Sequence, residues 1–160
     1  MSEQNREQTP APEIRPSIAL RAQYIKDLSF ENPRAPASLF SLKEAPQMEV
    51  NVNLGAQRLD EQVFEVLIQV QIRAISEKTT IFLMDLAYAG VLEVQAVPED
   101  MLEQAVYVQG AFLLFPYVRR VVSDISRDGG FPPIALEPMD FAAMYAQQRN
   151  KAAAPAAGNA

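Results

Sequence analysis

Hydrophobic and polar positions alternate along much of the first hundred residues. Ile18, Leu20, Ala22, Tyr24, Leu28 and Phe30 fall on one side of an extended chain, and Arg21, Gln23, Asp27, Ser29 and Glu31 on the other. Only Ile25 and Lys26 break the rhythm, and a period of two marks a half-buried strand. Met48, Val50, Val52 and Leu54, alternating with Glu49, Asn51 and Asn53, predict a second strand that ends in a polar turn over Gly55 to Gln62. Phe64, Val66, Ile68, Val70, Ile72 and Ala74 face inward in a third, against Glu65, Gln69, Gln71 and Arg73. A fourth runs from about Thr80 to Val94, with Phe82, Met84, Leu86, Tyr88 and Leu92 inward and Leu83 and Asp85 on the opposite side. Short connections make the second, third and fourth strands antiparallel neighbours.

The period then lengthens. Val118, Val121, Val122 and Ile125 recur at i, i+3, i+4 and i+7, the stripe of an amphipathic helix. Pro116 fits the first turn of that helix, where a missing N–H costs nothing. Pro98 to Gln109 reads as a helical prelude that Gly110 breaks, and Gly129 is placed to stop the main helix, where φ > 0 is often needed. Pro132, Pro133 and Pro138 keep the following connector out of helix until Phe141, Met144 and Tyr145 give a second, shorter stripe. The fold class is therefore α+β: a four-stranded antiparallel sheet with a long C-terminal helix and a shorter final helix packed on one face. Between the first two strands, Asn32 to Pro46 is too broken by proline for a strand. With Leu39, Phe40 and Leu42 it is too apolar for a solvated linker, so it reads as a crossover lying on the body of the protein.

Composition narrows the function. A chain of 160 residues, half of them apolar, suits one domain with a real core. The expected organisation is a disordered arm over 1–16, a folded domain over 17–148 and a disordered Ala/Pro-rich tail over 149–160. A net charge of −6 argues against nucleic acid as main partner. No run of 18 apolar residues predicts membrane insertion, and the polar start from Ser2 to Thr9 lacks an apolar leader, so a cytoplasmic location is expected. Histidine and cysteine are both absent, which removes Ser-His and Cys-His nucleophile systems and leaves a zinc site only carboxylates. No glycine precedes a lysine, so there is no phosphate-binding loop. Asp27 and Glu31, four apart on a strand, are about 13 Å from each other, too far for acid–base work on one bond. Neither enzyme activity nor a cofactor or metal is expected.

What remains is surplus apolar surface. Phe112, Leu113, Leu114 and Phe115 add to the valine stripe more than one sheet and one helix bury, an excess that goes with self-association or a groove for other polypeptides. Val118, Val121, Val122 and Ile125 cover their own sheet, form a subunit interface, or do both. Leu39, Phe40, Leu42, Phe112, Leu113, Phe115 and Phe131 sit in irregular or breaker-flanked segments, where side chains line clefts, and Met139 and Met144 add adaptable contacts. Asp27, Glu31 and Asp85 share the outer sheet face with Leu83, either as a solvated surface or as an acidic docking site.

Two blocks carry a resemblance. Tyr24 to Pro33 (Tyr-Ile-Lys-Asp-Leu-Ser-Phe-Glu-Asn-Pro) and the set Phe115-Pro116-Tyr117, Gly130-Phe131-Pro132 and Pro138-Met139-Asp140-Phe141 resemble the bacterial protein-export chaperone SecB family in order and spacing, over roughly residues 17–148. The resemblance implies an ATP-independent holdase that binds unfolded precursor proteins and delivers them to the translocation ATPase SecA. It implies a homotetramer built as a dimer of dimers, with the long helices between two sheets. It places SecA docking at Asp27, Glu31, Leu83 and Asp85, and a client groove among Leu39, Phe40, Leu42, Phe112, Leu113, Phe115, Phe131 and Met144. Two alternatives stay open: a SecB-like chaperone dedicated to another client such as an antitoxin, and a small-molecule-binding α+β domain.

Overall fold

The computed structural model describes residues 11–153. Its elements are β1 (Ser17–Glu31), a 3-10 turn (Ala37–Leu39), β2 (Gln47–Asp60), β3 (Val63–Ser76), β4 (Thr79–Gln95), α1 (Glu99–Asp128) and α2 (Phe141–Ala153). The strands form one antiparallel sheet in the order β1-β4-β3-β2. β1 and β2 are therefore opposite edges, and the 32–46 crossover must span three strand spacings, roughly 14 Å, before it can start β2. That requirement explains its length.

One face of the sheet carries the core. Val66, Ile68, Val70 and Ile72 of β3 and Phe82, Met84, Leu86 and Leu92 of β4 are buried beneath Val106, Leu114, Val118 and Val122 of α1. Val118, Val121 and Val122 thus cover their own sheet, and Ile125 is partly buried beside them.

α1 is one helix of 30 residues, not a prelude and a main helix, so Gly110 does not break it and Pro116 lies inside it. Gly110 instead permits close approach: a Cβ there would lie 2.8 Å from both Val66 and Leu92 side-chain atoms. Pro116 removes the N–H that the Phe112 carbonyl would accept, but both residues face outward, where water can satisfy the carbonyl. Gly129 follows the last turn with an ordinary right-handed φ of −72°; the left-handed residue is Gly130, at φ +90°. Gly129 is needed for space, since a Cβ there would sit 2.3 Å from the Phe30 ring.

Two strands also differ from the alternation. β2 continues through Gly55 and Ala56, which pair with Leu67 and Val66, so the turn shrinks to Glu61 and Gln62. β1 has register shifts at Leu20/Ala22 and Ile25/Asp27. Each inserts one residue and flips the side chains that follow. Ala22 and Tyr24 therefore turn to the outer face, while Gln23 and Ile25 pair with Gly90 and Tyr88 of the helix-covered face. The second bulge restores the phase, so Leu28 and Phe30 point inward as the alternation requires.

On that outer face the Tyr24 hydroxyl donates to Glu65, whose other oxygen lies 2.6 Å from the Lys26 Nζ. Hydrogen bonds from Lys26 and then Tyr24 hold the Glu65 carboxyl below its ordinary value, against a smaller opposing push from burial. A depressed carboxylate stabilises the fold above its unfolded value of about 4.3, and the contribution disappears as pH falls through the lower folded value. Thermal melts should therefore show Glu65→Gln less stable than the parent at pH 7, with the gap closing below about pH 4. A constant gap would mean the pair contributes nothing through its charge.

The connector between the helices is pinned at one buried hydroxyl. Ser126 Oγ donates to the Ser123 carbonyl at 3.0 Å and accepts the Ile134 N–H at 2.9 Å. Phe131, from the connector, packs tilted against Phe82 with ring centroids 4.6 Å apart, and Phe82 stacks on Phe30 at 5.4 Å. α2 is anchored to α1 by Phe141 against Phe115 and Tyr145 against Tyr107. It runs through Arg149 to Ala153, past the point where a tail was expected. The expected arm lies outside the described residues as far as Pro10, and so does the tail beyond Ala153.

Candidate functional site

The uncovered face of the sheet is a grid that the strand register fixes. One row across it reads Glu49, Arg73, Leu83, Glu31; the next reads Asn51, Gln71, Asp85, Ser29; the third reads Asn53, Gln69, Ala87, Asp27. The four residues expected to dock a partner thus occupy adjacent positions on β1 and β4. Leu83 is directly opposite Glu31, and Asp85 is diagonal to both Glu31 and Asp27, at about 7–8 Å. Asp27 and Asp85 line a depression of about 110 Å³ with the amide side chains of Asn53, Gln69 and Gln71. None of Asp27, Glu31 and Asp85 takes part in the ion pairs of the described residues. Three carboxylates outnumber the one cation in this grid, Arg73, which is diagonal to Asp85, so a cationic partner relieves repulsion as well as forming new pairs.

The apolar candidates divide between surface and core. Phe40 is 79 % exposed on the crossover and Phe112 67 % exposed on α1, while Leu39 and Leu113 are partly covered. Leu42 lines a cleft of about 490 Å³ between the crossover and the β3–β4 hairpin, with Ser38, Ser41, Gln47 and Ile75. Phe112 lines a second cleft of about 410 Å³, between α1 and the start of α2, with Val108, Met139 and Phe141. Phe115 and Phe131 are buried and serve the core, through Phe141 and Phe82 respectively. Met144 is half-buried against the core.

Further exposed apolar residues on β2 and α1 were not singled out by sequence patterning. Met48 and Val50 of β2 are on the helix-covered side by alternation, yet remain about 40 % exposed because α1 crosses β3 and β4 and leaves the start of β2 open. On α1, Met101 and Tyr117 are also exposed, in addition to Phe112; Met101 and Phe112 share one side of the helix and Tyr117 lies apart from them. Among the described residues no group of three or more Asp and Glu could hold a metal ion, and no helix is long and apolar enough to cross a membrane.

Residues 11–152 match the family model described as preprotein translocase subunit SecB. The chain belongs to the SecB family. Protein-export protein SecB of Zymomonas mobilis is 44 % identical over 133 residues, covering 83 % of this chain and 80 % of its own. Its namesake from Bradyrhizobium diazoefficiens is 43 % identical over 156 residues, covering 96 % and 94 %. Among solved structures, a Mycobacterium tuberculosis SecB-like chaperone in complex with a ChAD peptide from the HigA1 antitoxin shares the fold. Its TM-score is 0.62 at 20 % identity, covering 77 % of this chain and 91 % of that one. The family match agrees with the sheet-and-two-helix architecture and with the export-chaperone character that the two sequence blocks implied.

Proposed function

We propose that the chain is a cytoplasmic holdase that keeps precursor proteins unfolded and hands them to SecA, with no catalytic step of its own. The observation that carries this reading is the division of labour between the two sheet faces. Exposed apolar side chains on the crossover, the β2 edge and α1 border the helix-covered side, while the opposite face presents carboxylates around Leu83 that make no ion pair. A non-native chain offers apolar segments to the first surface. A basic docking module of SecA suits the second.

The client surface comprises Leu39, Phe40 and Leu42 on the crossover, Met48 and Val50 on β2, and Phe112 with Leu113 on α1. Because the clefts are shallow and separate, no single one selects a sequence. Several weak contacts on one long client supply avidity by raising the local concentration for each later contact. Assembly as a dimer of dimers multiplies those contacts. Exposed apolar residues of α1 such as Met101 and Tyr117 add surface for self-association beyond the valine stripe. Docking of SecA at Asp27, Glu31, Leu83 and Asp85 then brings the bound precursor to the machine whose ATP hydrolysis drives export.

A photoreactive group in place of Phe40 tests the client surface. It should crosslink to a denatured precursor, and excess unlabelled precursor should compete. Crosslinking only from probes at Ala152 and beyond would contradict the assignment.

A further inference from the structure

Two cations lie beside the outer-face carboxylates, and each is held by another partner. Lys26 is the extra residue of the second β1 bulge. Ile25 pairs with Tyr88 and Asp27 with Ala87, so Lys26 and Asp27 together oppose Ala87. A regular strand would send these neighbours to opposite faces. Here both are on the outer face, because the Lys26 ammonium meets Glu65 there. The bulge therefore sets a lysine directly beside Asp27, within reach of its carboxylate on a flexible four-carbon stem. The lysine turns the other way. Its Nζ donates to Glu65 Oε1 at 2.6 Å, across β4 on the third strand. Arg73, diagonal to Asp85, is turned aside as well: its Nε and one terminal nitrogen donate to Thr80 Oγ1, at 3.2 and 3.1 Å.

Surroundings decide between the two carboxylates open to Lys26. Asp27 is exposed, and an exposed pair gains little over hydration. The Glu65 side chain is only 15 % exposed, so it gains more from a cation than a hydrated carboxylate does. Its second oxygen accepts the Tyr24 hydroxyl, which braces the carboxylate with Oε1 toward Lys26. The first bulge of β1 is what carries Tyr24 to this face. Both irregularities of the strand thus serve one arrangement, in which Lys26 is occupied and Asp27 is not.

We propose that Glu65, braced by Tyr24, is a positioning residue for SecA docking: it keeps Lys26 off Asp27, so that this carboxylate stays free for a basic partner. The proposal rests on the reading that SecA docks on this face, and it names what keeps the site open. Glu65 itself is about 16 Å from Asp27 by strand spacing and rise. That is beyond the screening length of about 8 Å at physiological salt. Its own charge contributes little at Asp27, and its influence runs through Lys26.

The test is titration calorimetry with SecA at physiological salt, well below the melting range, on the parent and three variants. Glu65→Gln keeps the side-chain shape and an acceptor for Tyr24 but loses the charge that holds Lys26. It should bind SecA about threefold to fivefold more weakly, because the partner must now displace the lysine from Asp27. Glu65→Gln/Lys26→Gln should return to within about twofold of the parent, since no lysine is left to fall on Asp27. A role for Glu65 in the fold alone would leave that double variant as weak as the single one. Glu93→Gln also removes an outer-face carboxylate and frees its partner Arg21. Arg21 is six residues from Asp27 along β1, about 20 Å, so this variant should match the parent. Equal affinity of the parent and Glu65→Gln, or a double variant that is not restored, would overturn the proposal while parent binding leaves the docking reading standing. An equal loss in Glu93→Gln would reduce the effect to net charge and overturn it too. A parent that does not bind SecA would overturn both.

Discussion

An Asp27→Lys/Glu31→Lys protein is expected to lose SecA affinity by at least about a hundredfold while its melting curve and precursor binding stay unchanged. Asp27 and Glu31 are exposed on β1 and make no ion pair, so the fold does not depend on their charge. Each is diagonal to Asp85 on the neighbouring strand. Reversing both replaces attraction to a basic partner by repulsion on either side of the remaining carboxylate. Close charge pairs at interfaces couple by about 1.5 kcal/mol or more each, so two of them account for a loss of that size. Titration calorimetry with SecA reads the affinity, and rising salt should weaken parent binding toward that of the variant. Unchanged affinity would remove the outer face from the docking assignment.

Gly129→Ala should be the most damaging single-methyl change in the protein. The added carbon would sit 2.3 Å and 2.5 Å from two atoms of the Phe30 ring. That ring has no room to retreat, because it packs against Phe82 and Phe131, with Phe131 held by the connector. Overpacking of this kind costs about 2–3 kcal/mol, or roughly 6–10 °C in melting temperature for a domain of this size. Pairing with Phe30→Leu, which frees space at the same point, should return part of the loss. A Gly129→Ala protein as stable as the parent would show that the helix terminus moves freely relative to β1. The geometry does not allow that.

Periodicity read the interior of this fold well, since side-chain burial is what it reports. Every inward residue proposed for β3 and β4 is buried, and the valine stripe of α1 lies on them. What it missed depends on the third dimension. Gly110 and Pro116 look like breakers in a linear reading. In the folded chain one is a close-approach point over Val66 and Leu92, and the other faces solvent where its lost hydrogen bond matters little. The bulges of β1 leave a faint trace, as the interruption at Ile25 and Lys26, but only pairing with β4 shows that Tyr24 crosses to the outer face and meets Glu65. Alternation puts Leu83 and Asp85 on one face and Asp27 and Glu31 on the matching one, while the docking role proposed for them comes from the family resemblance. The register adds that they are neighbours. The apolar surface was legible only in amount. Sequence could not show that Phe115 and Phe131 go to the core, or that α1 leaves Met48 and Val50 uncovered, because both depend on where the helix crosses the sheet.

The holdase account is tested most directly by light scattering from a chemically denatured precursor diluted into buffer without nucleotide, over a range of chaperone concentrations. The account predicts that the intact protein suppresses aggregation in proportion to its concentration, with no effect of added ATP, and that Phe40→Asp/Val50→Asp weakens suppression without unfolding the protein. Aggregation that proceeds at the same rate with and without the intact protein would contradict it.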